Sequence, residues 1–429
     1  MGEISYQTGF GNQFATEAEP DVLPTGQNSP QKVSGGLYTE QLTGTAFTAP
    51  RVSMQRSWMY RMRPSVRHLN NLQAIDSGLI RTSPDQNTSP TAAQLRWDPF
   101  PSVASDTTWL TGLATVATNG NSEMQAGGAV HHFVASQSMG DTAFVNTDGE
   151  LMLVPYDGQL LIKTEMGHLE VGPGHIAVIP RGVKFSVDLS TDGARGYVCE
   201  NYGANFSLPE HGLVGVDANA LPRDFEYPIA AYDHDDRPTR LVAKISGQLF
   251  STELEHSPFD VVAWHGNLAP YRYELRRFCA LGPVVFDHPD PSIWTVLSSS
   301  SDTPGTANLD FILFREHWRV AEHTFRPPWF HSNVMSELMG LIEGIYDAKA
   351  QGFVPGGISI HNSFIPHGPD SEAFAAATEA ELVPSKGPDS LAIMWESRYR
   401  WVPTSWAMGL SELQGDYPER WSELSRQWD

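Results

Sequence analysis

Residues 129–190 read AVHHFVAS (129–136), TAFVNTD (142–148), GELMLVPYDG (149–158), QLLIKTEMG (159–167), HLEVGPG (168–174), HIAVIPRG (175–182) and VKFSVDLS (183–190). Each segment holds a short run rich in Val, Ile, Leu, Phe or Thr, and Gly, Asp or Pro closes it. The punctuation returns at intervals of about ten residues, the spacing of strands in a sandwich or small barrel.

Working outward, a second β region is predicted from 281 onward. Its segments are PVVFDHP (283–289), IWTVLSS (293–299), DFILFREHWRVAE (310–322), MSELMGLIEGIYDAK (335–349), GGISIHNSF (356–364) and LAIMWES (391–397). Between the two, residues 201–280 read as loop-rich, with a short helix at 248–256. Residues 1–70 read as extended and irregular, and 76–126 as alternating antiparallel segments. EAFAAATEAEL (372–382) has helical composition, and a further helix is expected in the last fifteen residues. The expected architecture is mostly β with few short helices, an N-terminal β domain at 1–280 and a C-terminal domain at 281–429.

Composition narrows the function classes. Lys+Arg 28 against Asp+Glu 50 leaves a net charge of −22, a field that disfavours nucleic acid and anionic membrane. A small anionic substrate stays open, because a metal ion or a few local cations can dominate one pocket. Two distant cysteines, Cys199 and Cys279, give no disulfide framework. MGEISYQTGF lacks the basic and apolar regions of a signal peptide, and no stretch approaches 18 apolar residues. The expected location is the cytoplasm.

The chemistry concentrates in PPWFHSNVMSELMGLIEGIYDAK (327–349) and GGISIHNSFIPHGPD (356–370). His331 and Glu337 sit six apart, and on an extended strand an even offset returns both to one face. The following segment delivers His367 behind Pro366. Two imidazoles and one carboxylate with open positions make the facial triad that suits oxygen-activating Fe(II). A lone His-x₅-Glu pair is more often structural; His367 and the Gly/Pro turns tip the balance toward a metal.

The pattern His331, Asn333, Glu337, Gly344 resembles the first cupin motif, with Asn333 where a second His is usual. GHIAVIPRGVKF (174–185) resembles the second motif, with Phe185 in place of its histidine. His131 and His132 are the only histidine pair near it. The fold this implies is bicupin-like, with a metal-free first half and one metal site in the second.

At greater length the chain resembles the homogentisate 1,2-dioxygenases. GFGNQFATEA (9–18), GTAFTAPR (44–51), FVNTDGELMLVP (144–155), RGYVCENYGANFSLPEHG (195–212), PRDFEYPIAAY (222–232), DVVAWHGNLAPYRYEL (260–275) and FDHPDPSIWTVL (286–297) carry the likeness together with the two metal-site segments. It runs collinearly from near residue 6 to near residue 410. The resemblance implies Fe(II)-dependent opening of the homogentisate ring with O₂ to give maleylacetoacetate, in tyrosine and phenylalanine breakdown. It also implies a homohexamer arranged as a dimer of trimers. The family's metal ligands fall on His331, Glu337 and His367, its acid/base histidine on His288 and its carboxylate-binding tyrosine on Tyr346. His367 is then also beside the substrate, which shares the metal. His361 and Asn333 read as further polar groups of the pocket. Tyr156, where Gln is commoner, and the Arg- and Trp-rich WESRYRWVPTSWA (395–407) depart from the family pattern.

Three other classes share parts of this pattern. A cupin dioxygenase for gentisate-like acids would share the triad. A non-catalytic bicupin would lose the ligands in both halves, and a sugar-phosphate isomerase would need the missing second His.

Overall fold

The computed structural model describes residues 4–84, 91–101, 105–210, 219–287, 290–346, 352–387 and 389–428. Strands dominate it. Among the described residues the α-helices are Ser371–Glu379, capped by the Asp370 side chain accepting from Ala373 N at 2.9 Å, and the single turn Ser405–Met408.

All seven segments between 129 and 190 contain a strand, and they are dealt between two sheets. A nine-stranded sheet runs Tyr6–Thr8, Phe225–Pro228, Tyr271–Glu274, His175–Ile179, Glu150–Asp157, Ala194–Asn201, Ala126–Ala135, Leu113–Asn121, Val402–Pro403. A seven-stranded sheet runs Gly167–Val171, Leu160–Thr164, Lys184–Leu189, Thr142–Asn146, Thr239–Ile245, Gln248–Leu254, Gln73–Ile75. Their inner faces share one apolar core in which Phe133, Phe144 and Phe185 meet around Trp109. A four-stranded sheet of Phe14–Glu17, Val261–Gly266, Arg56–Arg61 and Tyr38–Thr43 completes this part.

The C-terminal sheet has the order Thr295–Ser299, Leu309–Arg315, Leu391–Ser397, Ser336–Glu343, Ile358–His361, Leu95–Trp97. The halves exchange strands. Leu95–Trp97 is donated forward to the C-terminal sheet, and Val402–Pro403 returns to pair with Leu113–Asn121. The Tyr197 hydroxyl reaches across to the carbonyl oxygens of Leu341 and Gly357, at 3.0 and 2.9 Å. Gly340 permits this approach, since a Cβ there would lie 2.9 Å from the Tyr197 ring.

Being packed between the halves, Ala126–Ala135 is buried at all ten positions and shows no inside–outside alternation. A Cβ on Gly128 would sit 2.6 Å from Glu200 O and 3.0 Å from Leu309 of the other half.

Four expectations fail. Residues 248–256 are not helical: Gln248–Leu254 is a strand, turned back on Thr239–Ile245 by Ser246 (φ 50) and Gly247 (φ 77). Two consecutive positive φ values are the signature of a tight hairpin, and KISGQLF carries the turn pair. The supposedly loop-rich 201–280 holds five strands, Phe225–Pro228, Thr239–Ile245, Gln248–Leu254, Val261–Gly266 and Tyr271–Glu274. PVVFD (283–287) has strand composition but no ladder partner, and Val284 and Phe286 stand 77% and 64% exposed. In place of the expected C-terminal helix, the described part of the last fifteen residues forms the 3₁₀ turn Tyr417–Trp421.

Candidate metal centre

His331 and His367 lie in loops and are joined by a two-residue bridge. The His331 amide donates to the His367 carbonyl at 3.0 Å, and the His367 amide donates back at 3.1 Å. Glu337 stands on Ser336–Glu343, directly opposite His361 in register. The chain bends between His331 and Ser336, so one face of a continuous strand is not what brings His331 to Glu337. The bridge between the two loops instead holds His331 beside His367, whose Nε2 meets Glu337.

The three side chains converge. Nε2 of His367 is 3.0 Å from one Glu337 oxygen and Nε2 of His331 is 3.5 Å from the other. One donor atom from each residue lies within 4.8 Å of the other two. His331 Nδ1 is 2.9 Å from the Trp329 carbonyl and His367 Nδ1 is 3.0 Å from the Ile365 carbonyl. A carbonyl only accepts, so both Nδ1 atoms carry hydrogen and the two Nε2 atoms aim at the carboxylate. Neutral imidazoles would turn lone pairs toward anionic oxygens there. An extra proton or a metal ion relieves that conflict, and backbone-held imidazoles are the usual support of a metal ligand. The donor set fits a divalent ion such as Fe(II).

Electrostatics agree with this crowding. Hydrogen bonding to Glu337 raises His331 above its ordinary value against the effect of burial. Burial works to raise Glu337, but the hydrogen bonds from His331 and His367 prevail and hold its carboxyl well below the usual range.

Neighbouring strands set a row of polar groups in register: Asp310 opposite Glu396, Glu396 opposite Glu337, Glu337 opposite His361. Burial, reinforced by the charges of Glu337 and Asp310, pushes Glu396 up to about 8. The Asn333 amide donates to Glu396 at 2.6 Å. Glu396 lies in the quoted WES segment, yet its part in the site was not legible there, because only strand register places it beside Glu337. His361 stacks on His367, rings 4.3 Å apart and 11° from parallel.

The centre opens into a cavity of about 470 Å³. Trp294, Phe314, Trp329, Met339 and Met394 supply apolar walls; Asp290, Ser292, Asn333, Tyr346 and Glu396 supply polar ones. Tyr346 packs edge-on against Phe314 with ring centres 5.6 Å apart. His288 lies outside the described residues, but Asp290, two positions on, borders the cavity.

The N-terminal half presents a different cluster. Phe185, in the motif's histidine position, is fully buried in the aromatic core. His131 faces Glu200 at 3.3 Å, and the Lys244 ammonium contacts Glu200 at 2.7 Å and Asp148 at 2.8 Å. Burial opposes ionisation of Glu200, but Lys244 outweighs it and brings the carboxyl down to about 2. The neighbouring His132 is brought down to about 3 by burial, and its Nε2 is 2.9 Å from the Tyr156 hydroxyl.

Comparison with known proteins bears on the whole chain. Residues 5–275 match the family model described as homogentisate 1,2-dioxygenase N-terminal, and residues 276–428 match its C-terminal counterpart. A homogentisate 1,2-dioxygenase of Rhodopseudomonas palustris (strain BisA53) is 54% identical over 424 residues, covering 99% of this chain and 95% of the relative. Those of Nitrobacter hamburgensis and Bradyrhizobium diazoefficiens are 54% and 52% identical over the same coverage.

Proposed function

The chain belongs to the homogentisate 1,2-dioxygenase family, and from that premise we propose that one ferrous ion, held by His331, Glu337 and His367, serves its reaction. The activity is opening of the homogentisate ring with both atoms of O₂ to give maleylacetoacetate, in tyrosine and phenylalanine catabolism. The observation supporting the ligand assignment is the convergence of two carbonyl-held imidazoles on one buried carboxylate at the cavity floor.

A bound ferrous ion would supply the redox and Lewis-acid chemistry that ground-state O₂ needs to react with a closed-shell ring. The protein does the rest. Trp294, Phe314, Met339 and Met394 shield the ring from water. The Tyr346 hydroxyl is our candidate donor to the substrate's acetate carboxylate. His367 borders the same space, so it serves substrate placement as well as the ion. Asn333 and Glu396 hold each other and keep a proton-bearing carboxyl beside the centre. We assign His288 to acid/base work on a ring hydroxyl, since imidazole titrates near neutrality. The division near residue 280 leaves every one of these groups in the C-terminal part.

We further propose a hexamer built as a dimer of trimers. Phe286, Ile345 and Phe364 expose 64%, 61% and 61% of their surface, a set of apolar side chains that a partner subunit would cover. No helix of the described residues is long and apolar enough to cross a membrane. With two free cysteines and an acidic surface, this supports a cytoplasmic enzyme without nucleic-acid partners.

The test is oxygen uptake after anaerobic Fe(II) loading, with homogentisate and gentisate compared. Uptake with homogentisate and formation of a maleylacetoacetate absorbance are expected. Uptake with gentisate alone would transfer the assignment to the gentisate-like reading.

A further inference from the structure

Tyr417 stands 80 residues beyond Glu337 in sequence, in the 3₁₀ turn Tyr417–Trp421, and is fully buried. Its hydroxyl is 2.9 Å from His361 Nε2. The Arg96 guanidinium, on the donated strand Leu95–Trp97, lies over a face of the phenol ring, 4.2 Å from its centre. The ring is thus covered on a face by the cation while its hydroxyl meets the imidazole. Burial raises its pKa well above the ordinary value, so the group is a phenol and not a phenolate.

The imidazole it touches is the one that backs the metal ligands. His361 lies opposite Glu337 on the adjacent strand, its Nδ1 3.9 Å from the Glu337 Oε2. That distance is too long for a hydrogen bond, and Oε2 is engaged by His367 Nε2 at 3.0 Å. Once His367 Nε2 turns a lone pair to an ion, it no longer donates to that oxygen. His361 Nδ1 is then the group left beside it, and its tautomer decides the outcome. An Nδ1–H would steady the carboxylate, and a bare Nδ1 would repel it. Both ring nitrogens are fixed together, because a neutral imidazole carries one hydrogen.

We propose that Tyr417 is a positioning residue for the metal centre: its hydroxyl donates to His361 Nε2, which keeps the hydrogen on Nδ1 and aims it at the carboxylate of Glu337. The ordering Tyr417 to His361 to Glu337 places a donor opposite an acceptor at each step. This rests on the metal-ligand assignment made above and extends it to a residue that touches neither ion nor substrate. Outer partners of metal ligands typically govern about 10–100-fold in metal affinity.

Tyr417→Phe removes the hydroxyl and keeps the ring, so packing against Arg96 and Trp421 survives. The measurement is ferrous-ion affinity by anaerobic chelator competition on the full chain, with the thermal midpoint of the metal-free protein followed in parallel. About 10-fold or greater loss of affinity at a nearly unchanged midpoint is expected. His361→Asn puts an amide N–H near the Nδ1 position and has nothing at Nε2; His361→Gln does the reverse. Asn should therefore retain more affinity than Gln, and Tyr417→Phe should cost less than about twofold in the His361→Asn background, because its route is gone. Unchanged affinity in Tyr417→Phe, or the same loss in both backgrounds, overturns the positioning role alone. A wild type that retains no ferrous ion overturns the ligand assignment and this inference together.

Discussion

Each half of the molecule buries histidine against carboxylate, and the two differ in where the compensating cation comes from. In the N-terminal half Lys244 reaches Glu200 and Asp148, and Asn146 adds a 2.6 Å hydrogen bond to Glu200. Backbone amides of Ser246 and Gly247 complete Asp148 at 2.7 and 2.8 Å. The cluster carries its own ammonium, shared between the two carboxylates. In the C-terminal half no lysine or arginine among the described residues forms an ion pair with Glu337; the basic groups against it are His331, His361 and His367. Buried charge needs a partner, and the proposed ferrous ion would supply it here. The same style of scaffold thus yields a closed polar cluster in one half and, in the other, the two imidazoles and carboxylate proposed as the ligand set.

The sharpest way to break that comparison is to count ions. Glu337→Ala should lose both iron and oxygen uptake completely, whereas folded Glu200→Ala should keep one ion per chain. Metal analysis finding two tightly held ions in the wild type would erase the distinction. Next in size is Lys244→Met, which strands Glu200 and Asp148 without their cation. Breaking a buried pair costs about 3–5 kcal/mol, and denaturant unfolding should report it; a loss below about 1 kcal/mol would mean that Lys244 is not what neutralises the cluster.

Within the open half, Tyr346→Phe tests how much of the cavity serves binding. A hydroxyl donating to a charged carboxylate is worth about 1.5–3 kcal/mol. Because the carboxylate persists through the reaction, the loss should appear in KM with kcat nearly unchanged. A fall in kcat at constant KM would move Tyr346 to the proton-handling groups, and no change in either would leave it a packing residue.

The smallest effect per step is in pH. The two halves shift histidine in opposite directions, His132 down to about 3 by burial and His331 upward by Glu337. Below pH 6.5 the unfolded chain protonates His132 while the folded chain resists until about 3. His132 therefore contributes stability that is lost on acidification through that window. His132→Asn should gain on the wild type by about 1.4 kcal/mol per pH unit across it. Parallel pH profiles of the two proteins would show that the imidazole is not held neutral.

Much of the fold was legible because its signals are local. Each segment of 129–190 carries its own apolar run and its own Gly, Asp or Pro stop, and each became a strand. The stretch 248–256 failed because QLFSTEL has mixed composition and its state is set by the Ser246–Gly247 turn and the partner strand. PVVFD failed in the other sense: it has strand composition, but a single backbone bond from Glu322 N to Val285 O does not extend into a ladder.

The sequence alone picked out the proposed ligands and their order, His331, Glu337 and His367 in one half, and set Phe185 at the motif's histidine position in the other. Those identities are chemical facts that need no coordinates. Tertiary structure decided what they face. The His331–His367 bridge, the register that sets Glu396 beside Glu337, the reach of Tyr417 to His361 and the insertion of Lys244 between Glu200 and Asp148 all join positions from about thirty to more than ninety residues apart. Contacts at such separations depend on strand pairing and burial summed over the whole chain, and no local pattern encodes them.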